Sequence, residues 1–175
     1  HHVHHRGDVQ LLDFAGAQNG KFPQGTLISD GNFLYGMPAG GGTNNKGTIF
    51  KLKSDGSEYS KLLDFTGATN GSNPTGSLIS EGSFFYGMTS FGGKNNKGII
   101  FKIKSDGSEY SKLLDFAGTT NGGNPYGSLF SDGAFLYGMT YGGGANGLGA
   151  IFKFQLCGVI TDSMTIVSPA CGDNN

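Results

Sequence analysis

Two kinds of side chain in this sequence are spaced as if to meet a ligand: asparagines and aromatics set among glycines. Asn19, Asn70 and Asn121 recur 51 residues apart, each six residues after Asp13, Asp64 or Asp115. Carboxylate and amide oxygens on one short loop are donors of the kind Ca²⁺ takes, although such an Asp can equally cap its own loop. Calcium is the one cofactor for which the sequence offers a donor set, and no cofactor is expected. A second glycine-rich stretch carries Asn44, Asn45, Asn95, Asn96 and Asn146. Phe22, Asn73 and Asn124 occupy one another's place in successive copies of a repeat. Phe91 stands where the other copies have Gly40 and Gly142, Tyr126 where they have Gln24 and Thr75, and Tyr141 where they have Ala39 and Ser90. Aromatic faces beside amides and hydroxyls can stack on sugar rings and hydrogen-bond their hydroxyls. Asn and Gly also satisfy turn geometry without any ligand, so both readings of the asparagines stand at this point.

Catalysis finds little support. The four histidines all fall within the first five residues, the serines are turn residues, and no nucleophile has a base nearby in sequence. Cys157 and Cys171 lie beyond the last repeat. They are expected to form a disulfide in an oxidising compartment, with two structural thiols as the alternative. Their spacing is not that of metal ligands.

The elements that must position these residues follow from a fixed period. L-L-D-F occurs at 11–14, 62–65 and 113–116, Y-G-M begins at Tyr35, Tyr86 and Tyr137, and I-F-K begins at Ile49, Ile100 and Ile151. Self-similarity at 51 residues means one supersecondary unit stacked on copies of itself. In the first unit, β-branched and aromatic residues predict strands over 25–29, 33–37, 48–53 and 59–65. The Asp-Gly pairs in S-D-G-N (29–32) and S-D-G-S (54–57) predict two-residue hairpins with both central φ values positive. Four strands joined in this way make an antiparallel meander. The two longer connections of each unit, such as 15–24 and 38–47, then fall at one end of it, where binding residues usually collect.

Charge is graded across the meander. The first two strands carry none, whereas the last two carry Lys51, Lys53, Lys61 and Asp64, with Glu58 in the turn between them. A strand apolar on both faces, such as 33–37, must lie between neighbouring sheets. The expected fold is all-β: a propeller of kelch-like, four-stranded meander blades, with a β-trefoil or three-sheet prism as alternatives. The last unit supplies strands at 127–131, 135–141 and 150–154, and its missing fourth strand is the one found alone at 9–14. Three blades cannot close a ring that typically has four to eight. The expected partner is therefore a second chain completing a six-bladed ring, unless the chain is a segment of a longer array. The organisation reads as a tag-like stretch over 1–8, the repeats over 9–156, and a tail over 157–175.

A formal net charge of −1 with no basic run excludes a nucleic-acid surface. No apolar stretch approaches the roughly 20 residues a membrane helix needs.

The string L-L-D-F-x-G-x-x-N-G-x-x-P-x-G-x-L-x-S-x-G-x-F-x-Y-G-M-T, followed by G-G and then G-x-I-F-K-x-K-x-D-G, resembles the GloVer-type tandem repeat of secreted and surface-anchored bacterial proteins. The resemblance runs from Val9 to about Gln155. It implies an extracellular or bacterial cell-surface location and carries over no catalytic residues. The tail resembles the opening of an immunoglobulin-like surface module. The expected function is non-catalytic binding or adhesion, with a glycan or a surface protein as ligand. The alternatives are a purely architectural repeat segment and an extracellular polysaccharide-acting hydrolase or lyase.

Overall fold

The computed structural model describes residues 7–156. Cys157 and Cys171, the first six tag-like residues and the 157–175 tail lie outside them. The described chain is all-β, built from fourteen strands, and no helix is long and apolar enough to cross a membrane.

The first sheet contains β2 (Ile28–Ser29), β3 (Phe33–Gly36), β5 (Thr48–Lys53) and β6 (Ser60–Asp64), hydrogen-bonded in that order. The second repeats it with β7 (Ile79–Glu81), β8 (Phe84–Thr89), β9 (Ile99–Ile103) and β10 (Ser111–Asp115). The third consists of β12 (Phe130–Ser131), β13 (Phe135–Gly142) and β14 (Ala150–Gln155), with β11 (Gly123–Pro125) also on β13. β1 (Lys21–Pro23) and β4 (Pro38–Gly40) form a small ribbon beside the first sheet. All these pairings are antiparallel.

The sheets pack face on face. Tyr35, Met37 and Ile49 from the first meet Phe85, Phe101 and Ile103 from the second, with Leu78 beside them. Fifty-one residues on, Tyr86, Met88 and Ile100 meet Leu129, Leu136 and Phe152. Each L-L-D-F phenylalanine caps the following sheet edge to face: Phe14 on Phe50, Phe65 on Phe101 and Phe116 on Phe152, with ring centroids 5.7, 5.5 and 5.0 Å apart. A bulge explains the doubled leucine. The register slips at Leu62 in β6 and at Leu113 in β10, so adjacent leucines, which would otherwise face opposite ways, both reach the core.

Where the sheets converge, the backbones come too close for any side chain. A Cβ on Gly25 would stand 2.3 Å from the Gly76 carbonyl oxygen, and one on Gly76 would stand 1.8 Å from that of Gly127. This contact shortens the first strand of each unit. The span expected at 25–29 pairs only over Ile28–Ser29, and that at 127–131 only over Phe130–Ser131. Thr26 and Ser77 instead donate their N–H groups across the joint, to the Ser77 and Ser128 hydroxyls at 2.6 and 2.9 Å.

The turns also differ from expectation. In Ser54–Ser57 only Gly56 has positive φ, at 84°. Asp55 is not among the positive-φ residues; its carboxylate accepts the Ser57 N–H (2.9 Å) and hydroxyl (2.6 Å), and Glu58 takes a second left-handed position. A three-centre Asp cap thus replaces the mirror-image hairpin. Residues 9–14, expected as a strand, pair with no other strand among the described residues.

Candidate ligand-binding rim

The two long connections of each unit meet at one end of the sheets, as their lengths and composition suggest. Gly42 donates its N–H to the Gly16 carbonyl (2.9 Å), Gly93 to Gly67 (3.0 Å) and Gly144 to Gly118 (2.7 Å). A Cβ on Gly93 would lie 2.5 Å from the Asp115 carboxylate, so the doubled glycines permit this approach.

Most of the asparagines hold the loops in shape. The side-chain oxygens of Asn19, Asn70 and Asn121 accept the N–H groups of Ala15, Thr66 and Ala117 at 2.6, 2.6 and 2.7 Å. Asn44 and Asn95 donate their amides to the carbonyls of Phe65 and Phe116. Asn45 and Asn96, both left-handed, accept from Gly41 and Gly92. Asn73 and Asn124, left-handed as well, donate to the Ala39 and Ser90 carbonyls of the preceding unit, at 3.1 and 3.0 Å. Phe22 takes the same left-handed conformation in their slot with its ring in solvent, and the Lys21 ammonium lies 5.2 Å from the ring centroid. Asn146 is exposed at the tip of its loop.

The carboxylates considered for Ca²⁺ are engaged as well. Asp64 accepts the Thr43 N–H at 2.9 Å and pairs with Lys61 at 2.7 Å. Asp115 repeats this with Lys94 and Lys112. Burial alone would raise the Asp64 pKa, but the hydrogen bonds and charge from Lys61 and the Thr43 N–H outweigh it and leave the pKa below the usual carboxylate value. Among the described residues no cluster of three or more His, Cys, Asp or Glu could hold a metal.

The expected aromatics form the most ligand-like feature. Tyr126 and Tyr141 lie 5.6 Å apart with their rings tilted by 60°, brought together because Pro125 pairs with Thr140 in the β11–β13 ribbon. Phe91 follows Ser90, whose buried hydroxyl donates to the Pro125 carbonyl at 2.6 Å and lies 2.9 Å from the Thr75 hydroxyl. Three exposed rings therefore each follow a residue tied to this one knot. Sequence reasoning named the rings but missed Thr75 and Ser90, which fix them. The signal was a hydroxyl at Ser90 where its counterpart is Ala39. The arrangement leaves the rings of Phe91, Tyr126 and Tyr141 exposed beside the bonded Thr75–Ser90 hydroxyl pair.

A family model described as the Gloeobacter/Verrucomicrobia repeat matches residues 4–168 of the chain. No curated protein matches it.

Proposed function

From the premise that the chain belongs to the Gloeobacter/Verrucomicrobia repeat family, we propose that it is a non-catalytic, extracellular or bacterial cell-surface binding module. Its ligand is a glycan held at Phe91, Tyr126 and Tyr141. The observation that carries this reading is the Tyr126–Tyr141 ring pair, which leaves apolar faces in solvent beside a rigid knot of hydroxyls. Large rigid rings lose little conformational freedom on binding, and a preorganised site binds more tightly for it. The asparagines serve the site indirectly, by holding the loops that present the rings. We further read the three sheets as successive kelch-like propeller blades. That reading is supported by the meander order, by the face-on-face packing and by the collection of long loops at one end.

The test is a glycan array followed by titration calorimetry. Tyr126→Ala and Phe91→Ala are expected to weaken the selected glycan tenfold or more, while the fold, followed by circular dichroism, persists. Absence of binding to any glycan would overturn the assignment. It would favour the second reading, an architectural repeat segment, to which the engagement of nearly all the loop amides within the loops already points.

A further inference from the structure

The two end sheets carry the halves of a joint that the chain makes twice inside itself. Met37 and Met88 are 5% and 3% exposed within the internal joints, whereas Met139, at the same position of the third sheet, is 63% exposed. Ile49 and Ile100 are fully buried, and Ile151 is 81% exposed. With Phe130 they form an apolar face on the third sheet that nothing among the described residues covers. The complementary half lies on the first sheet. Leu27, Leu34, Phe50 and Leu52 correspond to Leu78, Phe85, Phe101 and Ile103 of the first internal joint, and they line an open groove of about 260 Å³ together with Leu12 and Phe14.

Residues 9–14 show what the groove awaits. They sit on the first sheet as β6 and β10 sit on the second and third. Phe14 repeats the Phe65–Phe101 contact, and Leu11 packs at Gly56 as Leu62 packs at Gly107. The segment thus occupies the place of the fourth strand of a sheet that would precede the first, yet it pairs with no strand among the described residues. β14 has the converse lack. β5 and β9 each carry a fourth strand on their outer edge, whereas β14 pairs only with β13 among the described residues. An unpaired edge beside an apolar face is a template for another chain.

The corner of the joint is changed in a consistent direction. Inside the chain, Asn73 and Asn124 donate their N–H groups to the carbonyls of Lys46 and Lys97. The corresponding residues at the two ends are Phe22 and Leu148, both exposed; they keep the backbone N–H and carbonyl that this bond uses and carry apolar side chains where the inner copies have Asn and Lys.

We propose that the third sheet of one chain receives the first sheet of a second copy, head to tail, with residues 9–14 of that copy pairing on β14 as its fourth strand. The β9–β10 register, carried along by the 51-residue period, sets Val9 opposite Lys153, Gln10 opposite Phe152, Leu12 opposite Ile151 and Asp13 opposite Ala150, with Leu11 in the bulge. The inference does not require glycan binding or closure of the sheets into a ring, but the joint would cover Tyr141, whose counterparts Ala39 and Ser90 are 6% and 0% exposed within the internal joints. Tyr141 borders both surfaces and is left unchanged in both experiments.

The test uses the full chain with Cys157→Ser and Cys171→Ser, and adds either Leu12→Cys or Ile151→Cys. Directly opposed residues on antiparallel strands stand about 5 Å apart between Cα atoms, within reach of a disulfide. Mixing the two variants under oxidising conditions is expected to give a cross-linked heterodimer, and neither variant is expected to cross-link with itself. Light scattering on the unmodified chain is expected to give at least twice 18.2 kDa. A fixed doubling means that both joints close on each other, and growth with concentration means an open filament. Either result supports the joint when the mixed variants also cross-link. Ile151→Arg is expected to return the chain to a monomer with an unchanged circular dichroism spectrum and with glycan binding retained. Three results overturn the proposal: self-cross-linking of Ile151→Cys; a monomer at every concentration with no cross-link in the mixture; or a monomer whose β14 amides resist hydrogen exchange, which would assign that edge to residues 157–175 of the same chain.

Discussion

Asn73 has two duties that a pair of substitutions separates. Its φ of 56° is a conformation that asparagine tolerates and most residues resist, and its amide ties the second unit to the Ala39 carbonyl of the first. Asn73→Ala loses both and is expected to destabilise the chain by about 2 kcal/mol, whereas Asn73→Gly keeps the backbone and loses about 1 kcal/mol. Urea unfolding measures the difference, and equal losses would mean that the backbone conformation contributes nothing. Several aspartates act in a similarly local way. The Asp30 pKa is lowered chiefly by the Tyr35 hydroxyl, that of Asp55 by the Ser57 hydroxyl, and that of Asp132 by the Phe135 N–H. Groups whose pKa is depressed on folding contribute stability that is present above the unfolded value of about 3.9 and lost as the pH falls through the folded value. The urea midpoint is therefore expected to be level from pH 7 to about 5 and to fall below about 4. A midpoint unchanged at pH 3 would contradict it.

At the scale of the element, each L-L-D-F phenylalanine makes the same ring contact in a different setting. Phe65 and Phe116 are fully buried between two sheets, while Phe14 lies at the open end and is only half-buried. Phe65→Ala is expected to cost about 3–5 kcal/mol, and Phe14→Ala about 1–2 kcal/mol, by the same unfolding measurement. Their ratio reports what being sandwiched adds to a single edge-to-face pair. These phenylalanines were legible in the sequence because they recur on the repeat and close an apolar strand. The strand at 48–53 was legible to the residue for the same reason. What local pattern could not show was any feature decided between units. The first strands are cut short by the Gly25–Gly76–Gly127 approach, which depends on a sheet 51 residues away. Residues 9–14 read as a strand because two copies of that sequence are strands, yet pairing needs an edge that the described residues do not bring to them. The asparagines read as ligands for a related reason: composition shows an amide in a loop but not the carbonyl it will meet.

For the molecule as a whole, the controlling fact is that, among the described residues, each core cluster joins two sheets that are neighbours in sequence. Each added unit then brings one more joint of the kind the chain already makes twice. Inserting a further copy of residues 52–102 is expected to give a chain that folds and melts several degrees higher, because it gains an internal joint and leaves the ends unchanged. Thermal melts by circular dichroism decide the point, and a lower midpoint would show that the joints are not equivalent.

That equivalence reaches past the polypeptide to its gene. Residues 51–65 and 102–116 differ only at Leu52 and Ile103, so a crossover between the gene segments encoding them would keep the repeat in register. A crossover there removes or adds one whole unit in phase. The resulting protein needs no contact that its parent lacked, and selection is left to act on the reach of the molecule instead of its ability to fold.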